Sequence, residues 1–133
     1  RANRLFYTMR RDYPLYYELL ELVGKTSGLG ADILKQKAKL GKIKFAMIGG
    51  RFLRGLPKKD SSEVDLLVVG NVVLPELAQL VKAEEVKRER ELNYTVMTEE
   101  EFNFRKSRRD PFVLSVLTGS RLMVIGDEED LVG

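Results

Sequence analysis

Hydrophobic and polar positions change their period about a third of the way along the chain. Upstream, Arg1 to Tyr17 mixes aromatics with arginines and shows no clean period. Pro14 suits a first helical position, and Leu15, Leu19, Leu20, Leu22 and Val23 then predict an amphipathic helix ending near Gly24. Gly24 to Gly30 reads as a turn-rich break, and Ala31 to Leu40 as a second helix stopped by Gly41. From Ile43 the pattern alternates. Ile43–Ile48 and Val64–Val69 are predicted strands joined by a loop over 49–62, with Gly70-Asn71 ending the second strand. A helix from Pro75 to near Glu85 follows, with Leu77, Leu80 and Val81 facing inward. In the predicted strand Glu91–Met97, Leu92, Tyr94 and Val96 alternate against Asn93 and Thr95. Thr98 and Glu101 are spaced as a capping box for a helix to near Lys106, and Asp110-Pro111 opens another that closes near Gly119. Arg121–Ile125 is the last predicted strand, and the acidic stretch Asp127–Asp130 is expected to be exposed.

This order predicts an α/β (α+β) domain: a mixed sheet of about four strands with flanking helices, preceded by a helical N-terminal segment. Residues 1–30 are expected to form that segment or a linker, and residues 31–133 the domain proper. The apolar Leu122–Ile125 strand is a candidate sheet edge, and so a pairing surface for a partner protein or a second copy.

Composition narrows the chemistry. A chain of 133 residues, 44% hydrophobic and 32% charged, suits one globular domain. At this length roughly two-thirds of the unfolded surface is buried on folding. The absence of cysteine and histidine excludes disulfides, thiol nucleophiles, His general bases and Cys/His zinc sites. No apolar run approaches the ~20 residues of a membrane span, and no signal-peptide pattern opens the chain, so a cytoplasmic location away from membranes is expected. The first residue is Arg1, as expected of a fragment or a trimmed whole.

Charge is unevenly distributed. Residues 1–60 carry 14 Lys/Arg against 5 Asp/Glu, whereas residues 61–133 carry 9 against 15. Lys35, Lys37, Lys39 and Lys42 read either as a solvated helix face or as a contact for phosphate. Arg105, Lys106, Arg108 and Arg109 form a second basic cluster, suited to a helix C-terminus.

Candidate chemistry concentrates between Ile43 and Gly70. An apolar run ends in Gly49-Gly50, a basic loop follows, and Glu63-Val64-Asp65 opens a second apolar run. Alternation in a strand would project Glu63 and Asp65 to one face, toward the glycine turn. Paired acids facing a Gly-rich turn suit a magnesium-nucleotide site. The competing reading is a strand mouth at which a carboxylate caps Ser61 or Ser62, or pairs with Arg54 or Lys58. In that case the glycines supply only a turn with positive φ.

Gly50-Arg51-Phe52-Leu53-Arg54-Gly55 followed by Glu63-Val64-Asp65-Leu66-Leu67-Val68 resembles the nucleotidyltransferase fold of the DNA polymerase β superfamily, especially its minimal nucleotidyltransferases. The likeness covers about residues 43–126 and implies the following roles. Gly49, Gly50, Arg51 and Arg54 would bind nucleotide phosphate. Glu63 and Asp65 would be catalytic residues and ligands of Mg2+, and Asn93 would stand at the third-acid position. Three departures go with it: Arg51 stands where the family has serine, Glu63 where it has aspartate, and Asn93 where it has the third acid. Together they imply a catalytically degenerate domain, the alternative being an active Mg-dependent nucleotidyltransferase, including the antitoxin type. Arg1–Val23, with Tyr13-Pro14-Leu15-Tyr16, resembles the linker after a winged-helix DNA-binding domain. That resemblance implies a regulatory domain of a transcription-regulator-like protein, reaching DNA through a winged-helix domain missing from this chain.

Overall fold

The computed structural model describes residues 28–56 and 63–132. The predicted helix over 15–23, the linker-like opening and the loop residues Lys58, Ser61 and Ser62 lie outside the described residues.

β1 (Gly41–Gly49) and β2 (Leu66–Val72) form the antiparallel centre of a four-stranded sheet. β3 (Tyr94–Met97) pairs parallel with β2, and β4 (Arg121–Ile125) pairs antiparallel with β1, giving the order β3-β2-β1-β4. The sheet is therefore mixed, and among the described residues β4 is an edge. Residues 45–48 of β1 and 66–69 of β2 are buried on both faces, which is why they read as near-continuous apolar runs. On one face Ala46, Ile48, Leu66 and Val68 meet Leu29 and Ile33 of α1 (Gly28–Lys35), Leu40 of α2 (Lys37–Leu40), and Leu77, Leu80 and Val81 of α4 (Leu74–Arg88). On the other, Phe45, Met47, Leu67 and Val69 meet Phe102 of α5 (Glu99–Ser107), Val113 of α6 (Pro111–Thr118) and Leu131 of α7 (Glu128–Val132). Helices thus cover both faces. The remaining helix, α3 (Gly50–Leu53), is a single turn directly after β1.

The helix starts predicted at Thr98 and Asp110 carry side-chain caps. Thr98 Oγ1 accepts from the Glu101 N–H at 3.0 Å, and Asp110 Oδ2 from the Val113 N–H at 3.2 Å. Other boundaries move for physical reasons. The helix expected over 31–40 begins at Gly28 and breaks at Gln36 into α1 and α2. Gly70-Asn71 does not end β2: Gly70 pairs with Ile43 and Asn71 with Lys42, so the strand runs on to Val72. Gly70 is required there because its φ is 148° and a Cβ would lie 2.4 Å from the Lys42 carbonyl oxygen. β3 starts only at Tyr94, although Leu92, Tyr94 and Val96 do pack on the core as expected. The four acids of 127–130 are exposed, yet three of them belong to α7, which is held by buried Leu131 and by Arg121 Nε to Glu128 Oε1 at 2.8 Å. Among the described residues no helix is long and apolar enough to cross a membrane.

Candidate functional site

The C-terminal end of β1 and the N-terminal ends of β2 and β3 meet at one end of the sheet. Gly49 caps α3 with φ −63° and ψ 140°, so it does not supply the positive-φ turn of the competing reading. Its N–H donates to the Asp65 carbonyl at 2.8 Å, and the Gly50 N–H donates to the Ser120 carbonyl at 2.9 Å. Both amides that a phosphate cradle would use at these glycines are thus engaged within the fold. Close approach, rather than positive φ, is what excludes a side chain at Gly50: a Cβ there would lie 2.2 Å from Ser120 Oγ and 2.9 Å from Ser120 Cβ. The hydroxyl can rotate away, but the Ser120 Cβ cannot. Gly50→Ala is therefore expected to destabilise the fold by about 1–3 kcal/mol, with Ser120→Gly restoring part of the loss in urea denaturation.

Glu63 and Asp65 precede β2 instead of lying within it, since pairing begins at Leu66. Glu63 Oε1 lies 3.8 Å from Arg51 Nε, a partly exposed pair. Asp65 is 1% exposed. Oδ2 accepts from the Asn93 N–H at 3.0 Å, and Oδ1 lies 3.7 Å from Arg90 Nη2. The Asn93 carbonyl in turn accepts from the N–H groups of Asp65 at 2.8 Å and Leu66 at 3.2 Å. Asn93 Nδ2 donates to the Glu63 carbonyl at 2.8 Å. Asp65 and Asn93 therefore form a two-way clamp that seats β3 beside β2. Arg54 folds back on its own turn, with Nε donating to the Gly50 carbonyl at 3.2 Å, and does not pair with either acid.

Arg90 is the site residue that pattern reading missed. α4 ends at Glu89, which adopts φ 51° and ψ 43°, the left-handed C-cap usually taken by glycine. The reversal turns Arg90 back toward the site. Its Nη1 donates to the Leu56 carbonyl at 3.0 Å, and its guanidinium sits 5.0 Å from the Phe52 ring centroid. Arg88, paired with buried Glu84, stacks on the same ring at 4.4 Å. Phe52 is buried and joins α3 to the sheet core. No Gly, Asn or Pro marks the end of α4, so the helix was expected to stop three residues early and the arginine was hidden. The charge-dense run Lys87-Arg88-Glu89-Arg90 was the one available signal.

A family of nucleotidyltransferase domains matches residues 30–121, more than half of the chain. The chain belongs to that family. No curated protein and no solved structure matches it. The mixed sheet flanked by helices is the nucleotidyltransferase fold. The fold brings Gly49, Gly50, Arg51, Glu63, Asp65 and Asn93 to this one end of the sheet. Among the described residues no three Asp or Glu side chains converge as a metal-holding group. The second basic cluster is divided among neighbours: Arg105 pairs with Glu101 at 2.9 Å, Lys106 Nζ donates to the Leu131 carbonyl at 2.9 Å, and Arg108 covers Phe104.

Proposed function

We propose that this nucleotidyltransferase domain is a binding and regulatory module that transfers no nucleotide. On this proposal it works in the cytoplasm, within a longer protein that holds DNA through a winged-helix part. The observation that carries it is the Asp65–Asn93 clamp: the better-buried acid is a structural acceptor facing Arg90, and the third-acid position is an amide bonded to the Glu63 carbonyl. A two-metal centre needs several carboxylates converging on the ions, which neutralise the attacking and leaving oxygens. These residues do not fit that centre. Glu63 is drawn to Arg51, Asp65 already faces a guanidinium, and Asn93 brings no charge. Among the described residues no carboxylate is then placed to take a proton from an attacking hydroxyl, and the glycine amides are committed to carbonyls. Arg51 is the group best suited to meet a phosphate as a cation.

Turnover is the test. The chain is incubated with ATP, GTP, CTP and UTP, Mg2+ or Mn2+, and protein, RNA or small-molecule acceptors, and pyrophosphate release is followed. The expected result is no release above the protein-free control, in the wild type and in Asp65→Asn alike. Release by the wild type that disappears in Asp65→Asn would instead establish an active magnesium-dependent transferase.

A further inference from the structure

At the other end of β1 lies a second charged feature, which the site does not use. Lys42 is seven residues before Gly49, so at ~3.3 Å per residue the two are about 23 Å apart along the strand. A groove of about 750 Å³ opens there, lined among the described residues by Leu34, Lys35, Lys37, Ala38, Lys42, Ile43, Lys44 and Glu99, with Gly41. Lys35, Lys37, Lys39, Lys42 and Lys44 are all exposed and follow one another along the chain from the end of α1 through α2 into β1. Lys44 reaches Glu99 at 3.8 Å, whereas the other four form no ion pair with a described residue. Four cations of one sign in so short a stretch repel one another, and a ligand with closely spaced negative charges relieves that repulsion.

We propose that this lysine row docks on the phosphate backbone of duplex DNA. The inference rests on the DNA-linked reading given above and adds that this domain itself touches the duplex. The form of the row selects this ligand. Lys39 is exposed but does not line the groove, so the lysine charge is not confined to the groove. An extended polyanion meets all of it, whereas an acidic peptide seated in the groove would leave part unmet. The described lining holds neither an arginine for bidentate base or phosphate recognition nor an aromatic for base stacking. Lysines alone suit contacts that position a duplex without reading its sequence.

The test is fluorescence anisotropy of the full chain with a short DNA duplex of arbitrary sequence across a salt series. Neutralising four phosphates predicts a slope of about −3.6 in log K against log salt. Lys37→Gln/Lys39→Gln/Lys42→Gln leaves one unpaired lysine, so the slope should shrink to about −0.9 and affinity at about 50 mM salt should fall by at least tenfold. Lys82→Gln/Arg108→Gln/Arg109→Gln removes the same charge elsewhere and should retain most of the slope. All six positions are exposed, so both variants should fold, which thermal melts check. Equal losses in the two variants, absence of DNA binding, tighter binding to an RNA duplex, or binding of polyglutamate in place of DNA would overturn the proposal. Nucleotide turnover would overturn the proposed function while leaving this slope untouched, so the two failures are distinguishable.

Discussion

Asp65→Ala lowers the stability of the domain by about 2–4 kcal/mol in urea denaturation, with magnesium present or absent. The buried carboxylate accepts the Asn93 N–H and faces Arg90, so truncation strands a backbone donor and a partly buried guanidinium together. Arg90 keeps its Leu56 carbonyl and its stacking on Phe52, and remains partly exposed, which holds the loss below that of a fully buried pair. Asp65→Asn should cost less, about 1–2 kcal/mol, because an amide oxygen can still accept from Asn93. The sign carries the information. Acids gathered to hold metal repel one another in its absence, so removing one often stabilises the apo protein at the expense of function. Destabilisation indifferent to magnesium marks Asp65 as part of the frame. A more stable Asp65→Ala variant would contradict that assignment.

Phe52→Ala should cost still more, about 3–5 kcal/mol by thermal or urea denaturation. Phe52 is among the largest fully buried side chains, and it lies on the single turn of α3 that follows the Gly50 close approach. Its ring also carries the guanidinium groups of Arg88 and Arg90, so truncation leaves a cavity beneath two cations. Phe52→Leu retains most of the volume and should cost about 1–2 kcal/mol. A double-mutant cycle with Arg90→Met should then return a coupling of about 0.5–1 kcal/mol, the contribution of the ring face. A cost for Phe52→Ala below about 1 kcal/mol would mean that the site collapses without loss, contrary to the packing described.

The fold was legible wherever a local rule coincided with a tertiary requirement. β4 spans the predicted Arg121–Ile125, and Thr98 and Asp110 cap the helices they were expected to open. The apolar runs of β1 and β2 gave the sheet centre because both faces are covered. Misplaced boundaries trace to residues whose usual meaning was overridden. Gly70, a turn signal, lies in paired strand because the Lys42 backbone passes too close for a side chain. Glu89 supplies a left-handed cap that carries no sequence mark. At the site, the glycine turn and the two acids were visible as a motif, but their bonding was not. The Asp65–Asn93 clamp joins residues 28 apart in sequence, and Arg90 reaches Asp65 through a helix end. The expected partners Ser61, Ser62 and Lys58 lie outside the described residues. Arg54, the other, bonds its own turn. A motif fixes residue types at a spacing, whereas the chemistry depends on which lone pairs and protons the fold has already engaged.

On the proposed function Glu63, Asp65 and Asn93 do not form a magnesium-nucleotide centre, and calorimetric titration decides the point. ATP, GTP, CTP and UTP are titrated into the chain with and without magnesium, in the wild type and in Asp65→Asn. The expected result is either no binding, or binding that responds to Arg51→Gln but not to magnesium or to Asp65→Asn. Magnesium-dependent binding of any of the four that is lost in Asp65→Asn, with the fold intact, would contradict the account.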